Sequence, residues 1–391
     1  MIGQPFFSVV LPTKDRPALL RDAIRSVLCQ NFEDYELIVS DNFNAARTRQ
    51  VIDLFLGNPR LRYFRTEAEL PMPSHWEFAT TQARGRYILI LTDRSVLKQH
   101  ALRKIHHAIL SHGEEIAVCS WRWSLFDDTT GVVFGDGVRE DRGEVKVLDS
   151  KEIARAFVNR SDYSPYLLPR GLNSCYHRRL AQEIRERVGG MFLPINPDFT
   201  SAFLLLASTA QTIHLSETLF ISQGLRVSNG GRGVASTSLP YLETLERKNF
   251  YDFVPIKAAI VENLTFNDFL MVQNLAGGAL SGIRVNWAEY FVACYRELLE
   301  KRGAGVIDGS TLAGMFVEWE RALAEFDPAT RSAVKTRISK LSPLRVKMLL
   351  KRSPVGPFLL GLKLQVASAR LGRTSQHRNV LRAAGFDPPP A

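Results

Sequence analysis

Three short apolar runs each end in a polar tip that carries an aspartate. Residues 7–12 lead into Thr13-Lys14-Asp15, residues 35–39 into Ser40-Asp41-Asn42, and residues 87–91 into Thr92-Asp93-Arg94. An ionised carboxylate only accepts hydrogen bonds, so such tips suit N–H edges, hydroxyls or hard cations. The third tip sets a guanidinium directly after its carboxylate, and a guanidinium can fork onto phosphate oxygens. A fourth aspartate, Asp198, follows Pro197 at a place that suits a helix start, where an acid interacts favourably with the helix dipole. No tip carries a G-x-G-x-x-G, and Pro12 stands where a dinucleotide fold needs its tight glycine turn. There is no P-loop motif either. Cys29, Cys119, Cys175 and Cys294 lie far apart with no C-x-x-C pair, which argues against structural zinc and for buried free thiols in a reducing compartment. His106 and His107 are neighbours on one helix and point apart, so with His112 they make a poor zinc set.

The elements that must position these residues alternate. Residues 7–13, 35–40, 61–64, 87–91 and 116–123 are predicted strands. Asp15-Arg16-Pro17 opens a helix with Leu20, Ala23, Ile24 and Val27 at helical spacing. Further helices are predicted around Val51, Leu54 and Phe55, and over 74–83 and 101–110. Strands alternating with helices imply an α/β fold, a mostly parallel sheet covered on both faces, with ligands held beyond the carboxyl ends of the strands. Later strands are predicted at 173–177 and 212–215, the second with a packed His214. Helices are predicted over 250–280 and 287–326.

Several of these motifs occur together in order. Phe7-Ser-Val-Val-Leu-Pro-Thr-Lys-Asp-Arg-Pro17, Arg25-Ser-Val-Leu-Cys-Gln30, Tyr35-Glu-Leu-Ile-Val-Ser-Asp-Asn42 and Ala83-Arg-Gly-Arg-Tyr-Ile-Leu-Ile-Leu-Thr-Asp93 resemble the family 2 glycosyltransferases of the GT-A fold over about the first 225 residues. The resemblance implies a Rossmann-like mixed sheet with helices on both faces. It also implies an inverting transferase that uses a nucleoside-diphosphate sugar. Under it, Thr13 and Asp15 line the nucleotide pocket and Asp41 accepts from the base, unless Asp41 caps the next helix. Arg65 either reaches the nucleotide or is a solvated loop residue. His75 either contacts phosphate or caps a helix. Asp198 matches the acid that takes the acceptor's proton, the alternative being dipole stabilisation of its own helix.

The sequence departs from the family at Thr92-Asp93-Arg94. The family's D-x-D motif holds a divalent metal against the sugar diphosphate, whereas here a cation takes the last acidic place. Three outcomes stand open. Arg94 replaces the metal and stabilises the leaving group's charge. Asp93 alone, with water and phosphate, still holds Mg²⁺ or Mn²⁺. Or catalysis is lost, leaving a nucleotide-sugar-binding scaffold or sensor. Arg226, in the glycine-rich stretch 224–233, belongs either to a lid over the diphosphate or to a linker.

Charge divides the chain unevenly. The net charge is +10, yet residues 331–391 carry thirteen Lys+Arg against one acid, leaving 37 basic and 39 acidic residues elsewhere. A near-neutral body argues against a nucleic-acid binder, and the tail calls for an anionic surface. Stretches 344–352 and 358–364 interleave basic residues with leucine, as in helices lying in a bilayer interface; the alternatives are a solvated basic helix pair, or RNA, for which few aromatics are present to stack. The expected organisation is a catalytic domain over 1–238, a helical region over 239–330 that packs on it or pairs subunits, and a basic amphipathic tail over 331–391. With no secretory signal and no apolar run long enough to span a bilayer, the expected location is cytoplasmic, peripheral on the inner membrane face. The expected acceptor is a lipid-linked or glycan intermediate of cell-surface polysaccharide or glycolipid.

Overall fold

The computed structural model describes residues 4–43, 46–135, 143–160, 163–223, 245, 249–304, 307–341 and 379–386. The stretch 224–244, with Arg226 and the glycine-rich segment, and the leucine-rich basic stretches of the tail lie outside these residues.

Apolar, β-branched runs form the centre of a ten-stranded sheet. Its path is β3 (Leu61–Arg65), β2 (Tyr35–Asp41), β1 (Phe7–Thr13), β4 (Tyr87–Ile90), β9 (Ser174–His177), β6 (Val118–Phe126), β10 (Gln211–Ser222) and β5 (Ser95–Leu97). The short β7 (Val133–Phe134) pairs with β6, and β8 (Val145–Asp149) pairs with β10. β3, β2, β1 and β4 run parallel, with Thr13 opposite Asp41 and Asp41 opposite Arg65. The sheet is less parallel than the alternation suggests. β9 lies antiparallel between β4 and β6, and β5, β7 and β8 are also antiparallel. Four residues, Ser-Cys-Tyr-His, are too few to reveal strand direction by their spacing.

One knot of polar groups sets the register at the amino ends of these strands. The Ser8 hydroxyl donates to Glu36 at 2.6 Å, and the amides of Arg84 and Gly85 donate to Glu36 and Ser8 at 2.7 and 2.8 Å. Arg62 closes the knot on Glu36 at 2.7 Å. A Cβ on Gly85 would stand 2.6 Å from the Ser8 amide nitrogen, so the motif Ala83-Arg-Gly-Arg-Tyr needs glycine there.

Helices cover both faces. α1 (Pro17–Leu28) and α4 (Ala101–His112) bury Leu20, Ile24, Val27, Leu102 and Ile105 against one face. α3 (Met72–Thr81), α5 (Ser150–Asn159), α6 (Arg178–Val188) and α7 (Pro197–Ser208) cover the other. α2 (Ala46–Asp53) ends before the expected Leu54 and Phe55, and Leu54 is exposed. The core under α7 continues into α8 (Val261–Ala276), α9 (Trp287–Ala304), α10 (Gly309–Ala324) and α11 (Pro328–Ser339). The helix expected over 250–280 is confined to α8. The one expected over 287–326 is broken, because Asp308 caps α10 by accepting from the Thr311 amide at 2.9 Å. A short final helix, α12 (Val380–Ala383), returns to the sheet edge, where Val380, Leu381 and Phe386 bury against Val96 and Ile221. Cys119, Cys175 and Cys294 are buried thiols as expected, whereas Cys29 is exposed at the end of α1.

Candidate active site

The polar tips of β1, β2 and β4 meet at one rim because parallel strands carry their carboxyl ends to the same side. Asn42 donates its amide to the Thr13 carbonyl at 3.1 Å, which ties the second tip to the first. The Asn42 side chain donates to the Leu70 carbonyl at 2.8 Å and accepts from the Leu70 amide at 2.9 Å, fixing the loop after β3. Asp41 is buried, and its Oδ2 accepts from the Tyr63 hydroxyl at 3.1 Å. Burial and the Asp41 charge hold that phenol above its usual range. Asp15 stands exposed in the left-handed backbone region, at φ 57°. Arg65 is exposed and lies over the Phe43 ring at 5.4 Å.

His75 neither caps a helix nor lies open to phosphate. It is buried within α3, bonded through Nε2 to the Ser40 hydroxyl at 3.0 Å, and burial lowers it to about 4, so the ring is neutral at pH 7. His214 is packed as expected, against Ser120 at 3.0 Å.

Asp93 is fully enclosed rather than exposed on a solvated turn. Its Oδ2 accepts from the Thr13 hydroxyl at 3.0 Å and the Lys14 amide at 3.4 Å, and its Oδ1 pairs with Arg16 at 3.1 Å. Burial raises its proton affinity, and Arg16 and these donors oppose that rise. Thr92 turns away and bonds Ser95 at 2.9 Å. Arg94 donates to the Gln223 carbonyl at the end of β10, at 3.0 Å. Enclosure by protein lowers its guanidinium to about 10, helped by the Arg16 charge and opposed by Asp93 and Asp198. It therefore stays cationic at pH 7.

Across from this tip, Asp198 lies in the first turn of α7, behind Pro197. Enclosure raises its proton affinity, while Arg170, the amides at its own helix start and Arg94 lower it. The amides among these influences are the helix-start stabilisation expected of an acid in the first turn. Arg170 lies 3.6 Å from Asp198 Oδ2, its guanidinium over the rings of Trp123 at 4.5 Å and Phe199 at 5.1 Å. Asp198 keeps a fifth of its side chain open to solvent.

Thr13 thus joins Asp41 through the strand register and Asp93 through its hydroxyl, Arg94 follows Asp93, the charges of Arg94 and Asp198 act on each other, and Asp15 and Arg65 are exposed. Sequence reading missed Arg16 and Arg170. Arg16 flanks a recognised motif. Arg170 lies in a loop with no periodic signal and reaches the site through tertiary folding alone. As they stand, these residues make a poor divalent-cation site. Both oxygens of Asp93 are engaged, the adjacent acidic place holds Arg94, and among the described residues no three His, Cys, Asp or Glu side chains converge.

Sheet order and polar rim together define a GT-A type domain. Residues 8–133 match the family model described as Glycosyl transferase family 2. A curated relative, GalNAc(5)-diNAcBac-PP-undecaprenol beta-1,3-glucosyltransferase of Campylobacter jejuni, is 34% identical over 100 residues, which are 25% of this chain and 32% of that protein. The chain thus spans about a third of the length of that curated relative. The crystal structure of S. aureus TarS 1-349 in complex with UDP-GlcNAc shares the fold, with a TM-score of 0.50 and 15% identity over 95% of this chain and 97% of that one. A mannosyltransferase from Pyrobaculum calidifontis, in complex with GDP-Man and Mn²⁺, aligns with a TM-score of 0.45 and 12% identity over 95% and 89% of the two chains.

Proposed function

We propose that the chain is an inverting glycosyltransferase that moves a sugar from a nucleoside-diphosphate donor to a hydroxyl acceptor. The observation that carries this reading is the gathering of Thr13, Asp41 and Asp93 at the carboxyl ends of β1, β2 and β4, with Arg94 next in the chain, on residues that match the Glycosyl transferase family 2 model. The base and ribose lie toward Asp41, Tyr63 and Thr13, with Asp15 and Arg65 at the margin. The diphosphate lies toward Arg94, and we assign a diphosphate-binding role to Arg226, which lies outside the described residues. Asp198 takes the proton of the attacking hydroxyl, that oxygen bonds to the anomeric carbon from the far side, and the bond from that carbon to the phosphate oxygen breaks. The electron pair leaves with the nucleoside diphosphate, where the Arg94 charge stabilises it. A single displacement of this kind inverts the anomeric centre.

In this reading Arg94 stands in for the divalent cation, and Asp93 orients Arg16 and the β1 tip. The competing assignment, Mg²⁺ or Mn²⁺ on Asp93, sets the cation beside the positive charge of Arg16.

The acceptor is a lipid-linked or glycan intermediate of a surface polysaccharide or glycolipid. The C. jejuni relative is named for an undecaprenol-linked acceptor, and the leucine-interleaved basic stretches between 344 and 364 suit an anionic membrane surface. No helix among the described residues is long and apolar enough to cross a membrane, and we place the protein peripherally at the cytoplasmic membrane face. The helical region contacts the catalytic part through α7 and α8 and leaves subunit pairing to a sizing experiment. The loss of the second acidic place favours one other reading, a silent nucleotide-sugar-binding scaffold.

Donor hydrolysis or transfer by the purified protein, with and without EDTA, tests these assignments. Turnover that Asp198→Asn abolishes, with nucleotide binding kept, is the expected result. Binding without any turnover in the wild type would establish the scaffold instead, and turnover surviving Asp198→Asn would remove the base assignment.

A further inference from the structure

Asp268 is a carboxyl with no solvent exposure, on α8 of the helical region, and no step above uses it. Its Oδ1 accepts from the Ile195 amide at 3.3 Å. Its Oδ2 accepts from the Asn196 amide at 3.3 Å and from the Asn196 side-chain amide at 2.7 Å. All three donors belong to the two residues that lead into Pro197 and Asp198. Asn196 is the N-cap residue of α7, yet its side chain makes no capping bond to that helix. Pro197 has no amide hydrogen to offer. The start of the helix that bears Asp198 is therefore oriented by a carboxyl from another part of the chain.

The clamp is itself anchored. One turn before Asp268, the Asn263 side chain donates to the carbonyls of Ile256 and Ala258 at 2.8 and 3.0 Å and accepts from the Tyr290 hydroxyl at 2.6 Å. Asn267 accepts from the Phe253 amide at 3.1 Å. Apolar rings pack the same helix on α7, with Phe269 against Phe203 at 5.3 Å. A polar seam thus runs from α9 through α8 to the base-bearing turn. Buried polar groups of this kind are high-stakes, since one lost partner leaves several groups unsatisfied.

We infer that Asp268 is a positioning residue for Asp198, so that the helical region belongs to the reaction apparatus of the catalytic part. This rests on the reading of Asp198 as the base. Asp268 touches no substrate; it holds the turn from which the base projects. Displacing a reacting group by about 1 Å can cost about a hundredfold in rate. Asp268→Asn keeps the shape but turns an amide donor toward N–H donors. Asn196→Ala removes only the shortest of the three bonds.

The experiment measures kcat, acceptor KM and nucleotide affinity for the full chain and for these two variants. The probe is whichever of UDP, GDP, CDP and dTDP binds the wild type. We expect kcat to fall by about 10- to 100-fold in Asp268→Asn and by less in Asn196→Ala. Nucleotide affinity stays within about twofold, because the β1, β2 and β4 tips are untouched. The exchanged pair, Asp268→Asn with Asn196→Asp, restores an amide–carboxylate bond with its roles reversed and recovers part of kcat. If Asp268→Asn does not fold, Asn196→Ala decides alone. Unchanged kcat in the variants that fold overturns the inference. So does a fall in nucleotide affinity parallel to that in kcat, which marks general loosening. A wild type that turns over no donor removes the transferase reading, and the positioning role with it. A wild type that turns over while Asp268→Asn and Asn196→Ala match it removes the positioning role alone.

Discussion

Replacing Arg170 by methionine tests the electrostatics around the base most directly. Methionine keeps an apolar stem between Trp123 and Phe199 and deletes the positive charge 3.6 Å from Asp198. Both side chains are at least four-fifths buried, so solvent screens the pair little. An opposite charge this close typically favours the ionised carboxyl by about 1–3 pH units, or about 1.4–4 kcal/mol. Asp198 already sits above the ordinary carboxylate range through burial, with Arg170 the largest opposing influence. Its removal drives the proton affinity further up. A base must be unprotonated to act, so the acid limb of kcat/KM moves toward higher pH by about 1–3 units. Below that limb, turnover drops about tenfold per unit of displacement, and above it turnover recovers most of the wild-type value. Arg170→Lys keeps a charge and displaces the limb less. The assay is kcat/KM against pH, from 5 to 9.5, at constant ionic strength. A rate that falls evenly at every pH, with the limb in place, refutes the argument and makes Arg170 a packing or substrate-binding residue.

Other outcomes follow from particular contacts. Arg94→Ala lowers turnover measured in EDTA by about 10²–10³-fold, the scale of a lost charge-stabilising donor, and an unchanged EDTA-resistant rate rejects the metal-replacement assignment. His75 is neutral in the fold, lowered to about 4, and titrates near 6.5 when unfolded, so the unfolded chain binds more protons between those values. Its contribution to stability is present above about pH 6.5 and is lost as pH falls toward 4; Tm against pH should flatten over that interval in His75→Gln. Gly85→Ala forces a methyl against the Ser8 backbone and costs about 1–3 kcal/mol, read from denaturant midpoints.

The resemblance rested on residues close in sequence. Residues 7–17, 35–42 and 83–93 each hold a strand and the polar tip it delivers, and one apolar run suffices to announce both. The parallel half of the sheet was legible for that reason, and so was the side on which Thr13, Asp41 and Asp93 gather. The antiparallel β9 was legible as a strand but not in direction. The break between α9 and α10 was missed although Gly303, Gly305 and the Asp308-Gly309 pair are breaker and cap signals in the sequence. Which partner each site carboxyl takes was not legible at all. Asp93 faces Arg16, and Asp198 faces Arg170, across 77 and 28 residues of chain.

By itself the sequence determined the alternating strands and helices, the polar tips at their ends and the loss of the second acidic place to Arg94. Short-range patterns dictate all of these, because strand and helix periods act over a few residues. Only the tertiary structure decided that Asp93 is engaged by its neighbours, that a loop guanidinium flanks Asp198, and that a buried carboxyl of the helical region grips the turn before it. Those pairings depend on how buried charges from distant segments find compensation when the core closes. A buried charge must be paired, but the pattern along the chain does not say with what.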